Sequence, residues 1–140
     1  MRHILFAALF YFSVACTNAA TSIPSALVGI WETEGSEFRG ETLTKGQALY
    51  LDTDGIGASV GGDGRAVMGV RIVVISYNPS TNVLTLDLTE NGKVVASGSM
   101  TYDPANKLIL DSNSKQRYER HSDSLSVEVR RSLGLELKTK

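Results

Sequence analysis

Very few groups in this chain have the types needed for nucleophilic or acid–base chemistry. His121-Ser122-Asp123 supplies the three residue types of a hydrolytic triad. Neighbours in an extended chain point to opposite sides, however, and a triad is a spatial arrangement rather than a sequential one. The segment is therefore read as a solvated strand end, and no catalytic residue is assigned. Asp52-Thr53-Asp54-Gly55 begins like a calcium loop. The later positions then fail: Gly57, Ser59 and Gly61 follow, and Asp63 stands where a bidentate Glu is needed. An Asp-Gly turn explains the segment instead. Glu32, Glu34, Glu37 and Glu41 could pair as the carboxylates of glycoside chemistry, but nothing fixes their separation, and a solvated strand face accounts for them. Gly61-Gly62-Asp63-Gly64-Arg65 lacks the Lys-Ser/Thr of a phosphate-cradling loop. The expectation is a protein that is not an enzyme, with no metal and no cofactor.

The only cysteine, Cys16, sits at the end of a leader-like segment. Arg2 precedes an apolar run over residues 4–12, and small residues follow up to Ala20, the three parts of a secretory signal. The run is shorter than the ~20 residues that span a bilayer. Two readings stay open. Ser13-Val14-Ala15-Cys16 resembles a bacterial lipobox, although Ser13 stands where Leu, Val or Ile is usual; cleavage after residue 15 would leave an acylated Cys16. Alternatively Thr17 and Ala19 direct cleavage after residue 19. The chain then divides into a leader (1–19, or 1–15), a linker (20–25) and one domain (26–140). The expected location is the periplasm or the outside of the cell, with membrane contact only through a lipid on Cys16, at the outer membrane. Either way the domain has no disulfide framework.

A net charge of −1 supplies no basic face for nucleic acid, and none is expected as a partner. The charges are unevenly placed. Residues 21–63 hold Arg39 and Lys45 against seven acidic side chains, whereas residues 107–140 carry eight basic against five acidic. Opposite signs at the two ends suit a closed barrel whose first and last strands lie side by side; surface pairs nevertheless contribute only about 0–1 kcal/mol each.

The positioning elements read as serial hairpins. Asn91-Gly92 between two alternating runs is a strong hairpin signature, because both turn residues need φ > 0. A two-residue turn sets Glu90 opposite Lys93, Leu88 opposite Val95, Leu86 opposite Ser97 and Leu84 opposite Ser99. Tyr77-Asn78-Pro79 before residues 82–87 is echoed by Tyr102-Asp103-Pro104 before residues 106–111. In each, the Asx side chain and the proline start a type I turn. Further strands are expected over residues 27–33, 47–52, 56–60, 69–77 and 115–121, with a flexible glycine-rich loop at 61–64. Ser124 is expected to cap a short helix over 124–133, with Leu125, Val129 and Leu133 on one face and Gly134 at its stop. The fold class is thus all-β: a small antiparallel up-and-down barrel of about eight strands with a C-terminal helix.

Gly29-Ile30-Trp31 on the first strand resembles the Gly-x-Trp signature of lipocalins and the wider calycins. The resemblance implies a tryptophan that closes one barrel end against a basic residue of the last strand, here Arg117 or Arg120. It also implies an apolar interior for a small hydrophobic ligand, for which Trp31, Val73, Leu84, Leu86, Leu88 and Tyr102 are the candidate lining. The family's Thr-Asp-Tyr element has no counterpart, since the order here is Thr101-Tyr102-Asp103. The expected function is an exported, monomeric cell-envelope binding protein. The alternative is an envelope interaction protein, such as a periplasmic inhibitor or scaffold, with a packed core and no ligand. Ser97-Gly98-Ser99 resembles the serine-rich loop of small barrels that inhibit lysozyme, but it falls in mid-strand.

Overall fold

The computed structural model describes residues 20–134. The expectations for the leader and Cys16, and the last six residues of the domain, lie outside the described residues. Among the described residues nine strands form one antiparallel sheet: β1 (Gly29–Glu32), β2 (Glu37–Arg39), β3 (Thr42–Leu51), β4 (Ile56–Asp63), β5 (Val67–Asn78), β6 (Val83–Glu90), β7 (Lys93–Asp103), β8 (Leu108–Asp111) and β9 (Arg117–Ser122). From β3 onward each strand pairs with the next, and β1 pairs with both β9 and β3 to close the ring. β2 follows β1 along the same edge of β3, Glu32 facing Ala48 and Phe38 facing Leu43. The result is a closed barrel of eight strand positions, as the hairpin series predicts. Closure brings the first and last strands together, and the Glu32 carboxylate lies 3.1 Å from His121 Nδ1.

Alternation sorts the side chains into two cores. The inner row includes Trp31, Leu49, Ile72, Val74, Leu84, Leu86, Met100, Ile109 and Tyr118, with Ile23 and Leu27 packed beneath. The outer faces of β1, β3 and β4 bury Ile30, Ala48, Tyr50, Ala58 and Val60 under Leu125 and Val129. Val129 belongs to helix α1 (Val127–Ser132), which is shorter than the sequence suggests, and Leu125 lies just before it. Its cap is Ser126, not Ser124: the Ser126 hydroxyl accepts from Val129 N at 3.1 Å. Ser124 stays in the preceding turn, while Leu125, Val129 and Leu133 do share the buried face. Arg130 fixes the helix by donating to Asp52 at 2.8 Å.

Three local expectations change. Glu90 faces Lys93 across the Asn91-Gly92 turn, but Leu88 then pairs with Ala96, Leu86 with Gly98 and Leu84 with Met100. Val95 is an extra residue, a β-bulge that moves every later partner by one. Leu84 and Met100 thereby share the interior, and Ser97 and Ser99 face Asp87 and Thr85 instead. Gly61 and Gly62 belong to β4 rather than to a loop. A Cβ on Gly62 would press on the Thr44 carbonyl at 2.8 Å, so glycine here lets two strands approach. β2 is additional, formed where the sequence offers only an acidic stretch.

Candidate functional site

One end of the barrel is solid. Leu27, in a 3-10 turn over Ser25–Leu27, is fully buried, and its carbonyl accepts the Trp31 indole N–H at 3.0 Å. Tyr102 meets Trp31 edge-on, with ring centroids 6.0 Å apart and planes at 78°. The Arg120 guanidinium lies over the indole, 4.1 Å from the ring centroid, and donates to the carbonyls of Val28 and Ala26. Of the two arginines considered, Arg120 is the closing one: it pairs with Trp31 across β1 and β9, whereas Arg117 faces away beside Leu110. Gly29 makes the junction feasible. Its φ is +133°, and a Cβ there would run into the Ser122 carbonyl and sit 2.8 Å from Arg120 Nη1.

The other end is hollow. A cavity of about 190 Å³ has an apolar floor that includes Leu49, Ile72, Leu86, Leu88 and Met100. Its rim carries Ser59, Ser97, Ser99, Asp111 and Asn113, and Tyr118 forms part of the wall. The rim exists because β8 pairs with β7 only from Met100 to Asp103. Among the described residues no strand covers residues 93–98 on that side, so Ser97 and Ser99 border a gap facing the β8–β9 turn. Ser99 spans part of it by donating to the Ser112 hydroxyl at 3.2 Å. Burial first, and then the negative charge of Asp111, push the Tyr118 hydroxyl above the ordinary tyrosine range.

The six candidate lining residues separate accordingly. Leu86 and Leu88 line the cavity. Trp31, Leu84 and Tyr102 belong to the packed core beneath it. Val73 is on the wrong face: it pairs with Ile56 and Asp87, between the buried Ile72 and Val74. A run apolar on both faces gives no signal of which side is in. Val73 instead lines an outer groove of about 530 Å³ with Ile56, Arg71 and Val94. That groove is larger but lies on the barrel's outside, and its charges are already partnered: Arg71 donates to the Gly134 carbonyl at 3.1 Å, and Asp87 accepts from Ser97 at 2.7 Å.

The catalytic-looking residues do not converge. His121 stacks on Phe38 at 3.8 Å and lies between Glu32 and the Gly40 carbonyl. Ser122 donates to the Ser124 carbonyl, and Asp123 pairs with Arg120 at 3.4 Å. Asp54 serves its turn by accepting from Ile56 N at 3.0 Å. Among the described residues no group of three His, Cys, Asp or Glu side chains is placed to hold a metal ion.

Compared with protein-family models, curated proteins and solved structures, the chain finds no match in any of the three. The site must therefore be read from its own geometry. Sequence reasoning missed Asp111, and a repeated turn was the available signal. Asn78, Asp103 and Asp111 each accept two backbone N–H groups ahead of them, and each turn ends in a residue with positive φ: Asn82, Lys107 and Lys115. The third turn has no proline, so the echo seen in the first two did not extend to it.

Proposed function

We propose that this chain is an exported binding protein whose barrel takes a small, partly apolar ligand at its open end, in a lipocalin-like manner. The observation that carries the reading is the cavity of about 190 Å³, with an apolar floor and a polar rim, next to a core of buried apolar side chains. It is smaller than the ~300 Å³ from which ligand sites usually start, which limits the ligand to a small molecule. At ~30 Å³ per water it equals about six water molecules. The Gly29, Trp31 and Arg120 closure supports the lipocalin-like part of the proposal, and the Arg2 start with its apolar run supports export.

Gly98 provides the test. It lines the cavity, and a Cβ there would meet only Asn113 Nδ2 at an ordinary 3.6 Å. Gly98→Leu should fill the space without displacing backbone. Wild-type protein purified from its native envelope and then denatured should release a small molecule that Gly98→Leu lacks, with both proteins equally folded. Identical release from the two would overturn the reading. One feature favours the second reading, an envelope interaction protein: Val94 and Val95 are 49% and 54% exposed beside the uncovered edge of β7. Loss of a captured envelope partner on Val95→Lys, with the small molecule unaffected, would support it.

A further inference from the structure

We infer that the ligand of the barrel mouth is a small cationic amphiphile, a primary amine or its like on a short apolar body, held by Asp111. The inference rests on the cavity being a ligand site. Asp111 pairs with Met100 across β7 and β8, and so belongs to the inward-facing row. Of the residues lining the cavity it is the only carboxylate, and none of them is Lys, Arg or His. Among the described residues no cation forms an ion pair with it. A half-buried carboxylate above an apolar floor, engaged in no ion pair among the described residues, favours a positive guest and penalises a negative one. A charge-assisted hydrogen bond to an ammonium group would also be stronger than one to a neutral hydroxyl. The Ser99 hydroxyl and the Asn113 amide oxygen on the same rim can accept the remaining ammonium protons.

Asp111 also has a structural task, because its Oδ1 accepts from Asn113 N at 2.8 Å and from Ser114 N at 3.2 Å. That task does not need a charge. Asn78 performs it with an amide oxygen in the β5–β6 turn, accepting from Ser80 N at 2.8 Å. The carboxylate at 111 is thus surplus to the turn, and it is the one such turn residue that lines the cavity. Asp111→Asn should keep the turn and remove only the charge.

The test is calorimetric titration of the protein, freed of any co-purified molecule, with n-pentylamine, n-pentanol and n-pentanoate at neutral pH. Wild type should bind the amine at least tenfold more tightly than the alcohol, and the carboxylate least. Asp111→Asn should bring the amine to the level of the alcohol while leaving alcohol affinity unchanged, which also shows that the cavity is intact. Equal affinity of wild type for amine and alcohol, or an amine preference that survives Asp111→Asn, overturns the inference and leaves the cavity reading standing. Failure of all three probes to bind wild type overturns both.

Discussion

The two ends of the barrel are built from the same alternating strands and reach opposite outcomes. At the closed end Leu27, Trp31 and Tyr102 fill the interior, and Arg120 lies across the indole while its donors satisfy two carbonyls. At the open end the inward positions of β7 shrink to Ala96 and Gly98, which face Leu88 and Leu86. Small residues opposite leucines leave space, and the shortness of β8 leaves that space accessible. The difference teaches that packing is not uniform here: one end is committed to it and the other withholds it, so that in the proposed reading binding and stability are separable.

Substitutions at the two ends should therefore have effects of very different size. Trp31→Ala removes the largest fully buried side chain and should cost about 3–5 kcal/mol in denaturant unfolding. Gly29→Ala should be comparably severe, because the chain cannot both keep its positive φ and avoid the Ser122 carbonyl. Arg120→Lys keeps the charge but loses the planar fork, so a loss of about 1–3 kcal/mol is expected by the same measurement. An Arg120→Lys protein as stable as wild type would remove the closing role assigned to that residue.

Alkaline pH gives a smaller effect on each side of the sheet. Burial raises Tyr118 inside the barrel and Tyr50 beneath α1. A raised folded-state value means that the unfolded chain gives up the proton first. The stabilisation is complete below the ordinary tyrosine value of about 10 and is lost as pH climbs through the folded-state value. Stability should thus fall above about pH 10, and Tyr118→Phe should flatten that fall. Ultraviolet titration of the tyrosines alongside unfolding at several alkaline pH values checks both statements. The smallest effect on folding belongs to Gly98→Leu, whose stability should stay within about 0.5 kcal/mol of wild type while its binding disappears.

Much of this architecture is legible in the sequence because its causes are local. Asn91-Gly92, Asp54-Gly55 and the two Asx-Pro turns set the strand ends, and alternation sets the faces. Gly29 and Trp31 mark the closed end for the same reason, since one demands close approach and the other demands burial. The mouth is less legible. The Val95 bulge reverses which residues of β7 face Leu84, Leu86 and Leu88, and no residue type announces a bulge. Val73 lies in a run apolar on both sides, so its facing depends on the register of β4 and β6. Asp111 becomes a cavity residue only through its pairing with Met100 and the early end of β8.

We propose that the mouth, not the closed end or the outer groove, receives the ligand. Amide chemical-shift mapping during titration with n-pentylamine or n-pentanol tests it most directly. Shifts should concentrate at Ile72, Leu86, Gly98 and Asn113 and leave the Trp31 indole N–H unmoved. Shifts confined to Val73 and Val94 in the outer groove, or centred on the indole, would contradict the account.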